Sequence, residues 1–431
     1  MELGGEVTMT KVYMIILDGA ADHPVAALGQ RTPLDAAVTP ALDALASEAR
    51  TSLITVIGKD IWPESDSGAM ALLSYDPLLH YTGRGPLEGY GLGLVRDDGR
   101  TIAFRVNFAS CDETGGILDR RTARGLSDEQ LQALAGAVRD QVSLADLGVE
   151  FGLVAFNRHR GILSFTAREG DLSGQVTNTD PGFRNVGPFG FPVREIDPRP
   201  LLARPRTAAP ADARAARVVN DFVARSAEVL RAHPVNRERR DLGELPANML
   251  LVRDGGDAPR PLTAFREKFD CSLTVMGQIP AERGLAELIG AEFAYSLPQP
   301  GESEAAYLAT AAQQVLAAPT EVVFIHLKGP DEPGHDNRPD DKRKAIELID
   351  THFLAPLLEG AGPRDVIAVT SDHATPCDMG IHSDDPVPAL VRAPGLEPDH
   401  TTRLTEAQAM RGGLPVAQAV DLMPFLVKAR P

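Results

Sequence analysis

The stretch Val12-Tyr-Met-Ile-Ile-Leu17, followed at once by Asp18-Gly19, decides the fold. Six residues without polar alternation predict a strand buried on both faces, the habit of a parallel sheet covered by helices. Asp-Gly is a turn signal at its carboxyl end. Working outward, Thr39-Pro40 opens a predicted helix, with Thr as N-cap and Pro at the first helical position. Ser52–Ile57 reads as a second strand, and Asp66–Tyr75 as a helix that stops at Asp76-Pro77. The C-terminal third repeats the style. A helix over Glu304–Ala317 leads into a strand over Glu321–Leu327, and a helix over Asp341–Leu358 into a strand over Asp365–Thr370. This alternation predicts an α/β core, a mostly parallel sheet between helices.

The middle of the chain reads differently. Strands are predicted at Thr101–Phe108 and Gly161–Ala167 around one helix, Asp128–Asp140, and Ile196–Ala213 is rich in Pro, Ala and Arg. Residues bearing chemistry stand at both ends of the chain, so the expected organisation is one core interrupted by an insertion. Residues 1–80 and 214–431 are assigned to a discontinuous core, 81–198 to a smaller inserted α+β domain, and 199–213 to a connector.

Composition narrows the function. The 431 residues carry 43 basic against 60 acidic side chains, a net charge of −17. That field repels polyanions, which argues against nucleic acid or an anionic membrane as partner, but a small anion needs only a local cationic cluster. No apolar run approaches the ~20 residues of a membrane span, and the first residues lack the pattern of a secretory leader. Three scattered cysteines (Cys111, Cys271, Cys377) exclude a disulfide framework and fit a reducing, cytoplasmic setting. Lysines number only seven among those 43 basic residues, so a lysine in an unusual place stands out.

Histidines are unevenly placed. Five of the ten (326, 335, 352, 373 and 382) fall within 57 residues, and three stand beside carboxylates: Asp331 with His335, Asp372 with His373, and His382 with Asp384. The first two pairs follow predicted strands directly. In a parallel sheet all carboxyl ends open on one edge, where ligands collect, and Asp18 belongs to that edge too. Converging carboxylates and imidazoles suit two divalent ions, Mn²⁺ or Zn²⁺ before Mg²⁺. Pro63-Glu-Ser65-Asp-Ser67-Gly places two hydroxyls at a helix start, where backbone N–H groups favour a phosphoryl group. Residue chemistry alone does not choose between Ser65 and Ser67 as a nucleophile.

Taken together, Leu17-Asp-Gly-Ala-Ala-Asp22, Thr32-Pro-Leu-Asp-Ala-Ala37, Ser65-Asp66 with Ser74-Tyr-Asp-Pro77, and Tyr81-Thr-Gly-Arg-Gly-Pro-Leu-Glu88 form a recognisable series. It continues through Phe104-Arg-Val-Asn-Phe-Ala109, His326-Leu-Lys-Gly-Pro-Asp-Glu-Pro-Gly-His-Asp336 and Ser371-Asp-His-Ala-Thr-Pro376. The chain closely resembles, over nearly its whole length, the archaeal-type cofactor-independent phosphoglycerate mutases of the alkaline phosphatase superfamily. The resemblance implies an alkaline phosphatase-like core with an inserted substrate-binding domain, and interconversion of 3- and 2-phosphoglycerate, a small phosphorylated carboxylic acid, in glycolysis. It implies Ser65 as the nucleophile that becomes phosphoserine and Lys328 as the active-site lysine. One ion would be held by Asp331, His335 and His382, the other by Asp18, Ser65, Asp372 and His373. Mn²⁺ is the expected metal, with Zn²⁺, Co²⁺ and Mg²⁺ as alternatives, and no 2,3-bisphosphoglycerate is required. Arg105, Asn107, Arg160 and Arg239 are the expected substrate contacts. Arg105-Val-Asn107 and Asn178-Thr-Asp180-Pro-Gly182 depart from the usual pattern, and Gly182–Pro192 reads as an added loop. These departures keep an alternative open: a related phosphomutase or phosphohydrolase acting on another small phosphate or phosphonate in specialised metabolism. The oligomeric state is left open.

Overall fold

β1 (Val12–Leu17) is buried along its whole length, as its unbroken apolar run requires. The computed structural model describes residues 10–96, 99–121, 125–193 and 196–431. After β2 (Arg50–Ile54) the chain leaves the first sheet for β3 (Thr101–Cys111), β4 (Ile117–Asp119), β5 (Val149–Phe156), β6 (Arg160–Ala167), β7 (Phe183–Val186), β8 (Phe189–Pro192) and β9 (Met249–Asp257). It returns with β10 (Leu273–Gly277), β11 (Glu292–Tyr295), β12 (Val322–Leu327), β13 (Val366–Thr370) and β14 (Val387–Arg392). Two units result: one runs up to His80 and resumes at Leu262–Pro431, the other is Tyr81–Pro261.

In the first unit the sheet order is β11-β10-β12-β1-β13-β14-β2. β1, β10, β11, β12 and β13 run parallel, and β14 pairs antiparallel with both β13 and β2. Helices Pro40–Ser47, Glu304–Ala317 and Pro339–Ile349 cover one face and pack Leu45, Leu308, Val315 and Ile346 against Ile15, Ile325 and Val369. Each such wholly buried aliphatic side chain contributes about 1.5–3 kcal/mol relative to exposure. The predicted helix over Asp341–Leu358 exists but is interrupted by a π-turn at Asp350–Leu354.

Strand register lines up the carboxyl ends. Ile16 stands opposite His326 and Thr370, and Leu17 opposite Leu327. Side chains alternate faces along a strand, so Asp18, His326, Lys328 and Asp372 fall on the same face at the carboxyl edge.

The second unit is an antiparallel sheet with β3 at its centre, flanked by β6 and β9; β5 continues beyond β6 and β4 pairs with the end of β3. Helices Asp128–Gln141 and Pro210–Ala232 pack on it through Leu131, Leu134, Val138, Val218, Val219 and Phe222. This corrects the expected domain boundary. The core expected from the sequence includes residues 214–261, but β9 pairs with β3 and the 23-residue helix Pro210–Ala232 belongs to the core of this sheet. The expected connector, 199–213, runs into the first turn of that helix, with Pro210 at its first position. Gly182–Pro192 is not a plain loop: β7 and β8 form a hairpin, and the Phe189 ring stacks on Tyr81 at 5.3 Å.

Candidate active site

Asp18 leaves β1, Lys328 leaves β12, and Asp372 and His373 leave β13, so three adjacent parallel strands deliver them to one edge. The edge is locked by backbone contacts. Ser371 Oγ donates to Leu17 O (2.7 Å) and accepts from Ala20 N, while Gly19 N donates to Asp372 Oδ1 (3.1 Å). Gly19 sits at φ +58°, and a Cβ there would lie 2.5 Å from Thr375 Oγ1 and 2.7 Å from Asp331 Oδ1. The turn therefore needs glycine both for its backbone angle and for space.

Ser65 opens the helix Ser65–Leu72. The helix sits close enough to the β13 exit that a Cβ on Gly68 would fall 2.4 Å from Asp372 O. Geometry separates the two serines. Ser67 Oγ accepts from Glu64 N and donates to Glu64 O, both at 3.0 Å, which makes it a helix-start fastener. Ser65 Oγ instead lies 3.3 Å from Asp18 Oδ1 and 3.4 Å from His373 Nε2, at the N-terminus of its helix.

Two carboxylate–imidazole clusters meet here. Asp331, His335 and His382 bring one ligand atom each to within 4.8 Å of one another, and so do Asp18, Asp331 and His373. His335 Nε2 is 3.4 Å from Asp331 Oδ2, and His382 Nε2 is 3.5 Å from Asp331 Oδ1. His373 Nε2 is 3.2 Å from Asp372 Oδ2 and 3.4 Å from Asp18 Oδ1. Such edges match donors set about 2.1 Å from a shared ion. The wholly buried Asp372 Oδ2 has no hydrogen-bond donor, a state costly to a carboxylate unless a cation faces it. The donor set thus fits divalent metal ions.

The imidazoles are oriented from behind. His335 Nδ1 donates to Gly380 O (3.0 Å) and His382 Nδ1 to Pro63 O (2.8 Å). His373 Nδ1 donates to Thr375 Oγ1 (3.1 Å), whose own hydroxyl donates to Asp331 Oδ1 (2.6 Å). Lys328 Nζ is 3.0 Å from Asp18 Oδ2 and 3.8 Å from Glu282 Oε1. Burial alone would lower the Lys328 pKa, but Asp18 and Glu282 outweigh it and raise it above the ordinary value. The ammonium is a fixed charge rather than a base. Burial would raise the Asp18 carboxyl, yet Lys328 and His326 hold it well below the usual range. Burial likewise opposes charge on His335, but Asp331 carries it up to about 9.

Sequence reading missed several members. Thr375, Glu282 and His326 all join the site, and the two-residue spacing of His326 and Lys328 on a strand in register with Asp18 was the available signal for His326. Lys342, wholly buried, donates to Asp22 Oδ2 (2.8 Å), Thr375 O (2.9 Å) and Ala21 O (3.2 Å), tying the β1 and β13 exit loops together. His352 lies on the π-turn, away from these clusters.

The expected substrate contacts lie in the second unit. Asn107 on β3 is the cross-strand partner of Arg160 on β6, and Arg105 is that of Arg253 on β9. Arg105 Nε is 3.4 Å from Glu88 Oε2, which Arg84 also pairs through Oε1 at 2.8 Å. Arg253 pairs with Asp254 and lies over the Phe183 ring at 4.0 Å. Arg120 grips Asp180 with two bonds of 2.7 and 2.8 Å, and Asn107 Nδ2 is 3.5 Å from the same carboxylate. Burial, then the neighbouring Arg84, lowers the Arg105 pKa to about 9 and that of Arg160 to about 10. Cations outnumber carboxylates in this cluster, which suits it to an anion. Arg239 is not part of it. Its guanidinium, buried, donates to Leu245 O, Gly125 O and Gln130 Oε1 and pairs with Glu244, fastening the helix Pro234–Asp241. The expectation of a substrate contact there is therefore not met by its surroundings.

Fold and site together define an α/β protein whose mostly parallel sheet carries metal-type ligand clusters at its carboxyl edge and whose chain is interrupted by a second unit. The sequence model of the 2,3-bisphosphoglycerate-independent phosphoglycerate mutase family matches residues 46–236. Two proteins of that name are similar over nearly the whole chain. The Aeropyrum pernix one is 38% identical (94% of this chain, 95% of that one) and the Methanoculleus marisnigri one 39% (97% and 96%). Among solved structures, the PH0037 protein of Pyrococcus horikoshii superposes with a TM-score of 0.77 at 28% identity, covering 98% of both chains. The cofactor-independent phosphoglycerate mutase of Thermoplasma acidophilum gives 0.64 at 29%, covering 98% of this chain and 100% of that one. This chain belongs to the family of 2,3-bisphosphoglycerate-independent phosphoglycerate mutases, of the archaeal type. Among the described residues no helix is long and apolar enough to cross a membrane.

Proposed function

We propose that this chain interconverts 3-phosphoglycerate and 2-phosphoglycerate through a phosphoserine on Ser65, with two divalent ions and no bisphosphoglycerate. The observation that carries this reading is the placement of Ser65 Oγ at a helix N-terminus beside Asp18 and His373. Asp331, His335 and His382 would hold one ion, and Asp18, Ser65, Asp372 and His373 the other. Bound there, the ions would lower the pKa of the serine hydroxyl and neutralise charge on the phosphoryl oxygens. Mixed imidazole and carboxylate donors favour Mn²⁺.

Ser65 Oγ gives up its hydroxyl proton and forms a bond to phosphorus as the bond from phosphorus to the C3 oxygen breaks, and that oxygen takes up a proton to leave as the C3 hydroxyl of bound glycerate. The backbone N–H groups at the start of the Ser65–Leu72 helix face the phosphoryl oxygens, and Lys328 holds a positive charge beside them. Glycerate then presents its 2-hydroxyl, which takes the phosphoryl group back and frees Ser65. We assign recognition of the carboxylate and hydroxyls to Arg105, Asn107 and Arg160.

The test is turnover of 3-phosphoglycerate with added Mn²⁺ after metal removal, read through enolase in the absence of 2,3-bisphosphoglycerate, with free phosphate followed in parallel. Mn²⁺-dependent formation of 2-phosphoglycerate that vanishes in Ser65→Ala is expected. Release of phosphate alone would make the protein a hydrolase, and no turnover by loaded, folded protein would overturn the substrate.

A further inference from the structure

We propose that His326 is a further protein ligand of the ion held by Asp18, Asp372 and His373, oriented by Glu282. This rests on the two-ion reading above and adds to it a second imidazole for that ion. His326 is wholly buried on β12, and its Nε2 lies 3.1 Å from Asp372 Oδ2 and 3.5 Å from Asp18 Oδ1. These three atoms form a third compact ligand group. Neither His326 Nε2 nor Asp372 Oδ2 has a hydrogen-bond partner, although both are sealed from water.

The far side of the ring explains why. His326 Nδ1 is 2.5 Å from Glu282 Oε1, a carboxylate that accepts from Gln278 N (2.6 Å) and Ile279 N (2.9 Å) through its other oxygen. Gly277 makes room for it, since a Cβ there would lie 2.1 Å from Glu282 Oε2. A carboxylate locked in this way accepts the Nδ1 proton and turns Nε2, the ring atom left to ligate, toward two carboxylate oxygens. A buried ring nitrogen and two buried carboxylate oxygens converging within a dry site form a donor set that suits a cation. The construction repeats that of His335, His382 and His373, whose Nδ1 atoms are held by Gly380 O, Pro63 O and Thr375 Oγ1 while Nε2 faces carboxylates.

The experiment counts nitrogens and measures affinity together. Wild-type protein is loaded with Mn²⁺, the binding isotherm is recorded, and electron spin-echo modulation is compared between ¹⁴N- and ¹⁵N-histidine samples. Four coupled imidazoles are expected over the two ions; three would overturn the proposal, and this measurement needs no variant to fold. His326→Asn is expected to remove one coupled nitrogen and to weaken one of the two Mn²⁺ sites by at least tenfold, leaving the other as it was. Glu282→Gln is expected to weaken the same site by about 10–100-fold with the nitrogen count kept. A His326→Asn protein with an unchanged nitrogen count would refute ligation even if its affinity fell. Wild-type protein that takes up no Mn²⁺ would overturn the two-ion reading itself, a separate result.

Discussion

Thr375 donates its hydroxyl to Asp331 Oδ1 at 2.6 Å while accepting from His373 Nδ1, so one small side chain orients a carboxylate of one cluster and an imidazole of the other. Thr375→Val keeps the shape and removes both bonds. Metal affinity and turnover should fall by about 10–100-fold, the usual effect of losing a partner behind a ligand. Thr375→Ser should restore most of both. A Mn²⁺ titration of the three proteins checks this, and wild-type affinity in Thr375→Val would contradict it.

The two serines of the helix start should part company on mutation. Ser65→Ala should abolish turnover with the fold intact and leave no protein-bound ³²P after exposure to labelled substrate. Ser67→Ala should keep turnover and lose about 0.5–2 kcal/mol of stability, because it removes a helix-start bond. Denaturant titration and label retention read the two effects separately.

Lys342 and Asp22 form a pair with both side chains wholly buried. Lys342→Met leaves the Asp22 carboxylate without its cation and should cost about 3–5 kcal/mol. Adding Asp22→Asn should recover part of that loss, a recovery that a simple packing defect would not produce. Urea unfolding of the two single variants and the double variant makes the comparison.

His23 bridges Asp378 and Asp385, at 3.0 Å from each. Burial lowers its pKa, but the hydrogen bonds to the two carboxylates outweigh that and raise it. The folded value thus lies above the unfolded value of about 6.5. The stabilisation is complete below about pH 6.5 and is lost as the pH climbs through the folded value. His23→Gln should therefore be most destabilising near pH 6 and approach wild type in alkali. A stability gap that widened with pH would contradict the assignment.

Much of this protein is legible in its residues. The run Val12–Leu17 announces a buried parallel strand because only such a strand tolerates apolar side chains on both faces. The pairs Asp331 with His335 and Asp372 with His373 stand out because each follows a strand whose carboxyl end must open on the ligand edge. What spacing cannot express is which distant segments share a register. His326 reads as a buried strand residue until Ile16 is aligned with it, and Glu282 reaches it only once β10 is laid beside β12. Arg239 shows the converse: the resemblance implies a substrate contact there, yet folding surrounds its guanidinium with carbonyl acceptors. The long helix Pro210–Ala232 reads partly as a connector because its first turn is Pro- and Ala-rich, and its allegiance to the second unit follows from the pairing of β3 with β9. Local pattern determined the elements and the kinds of ligand, since both depend on short-range sterics and side-chain chemistry. Tertiary structure alone decided which imidazoles and carboxylates meet, because a dry, converging set of lone pairs exists only once separate strands are in register.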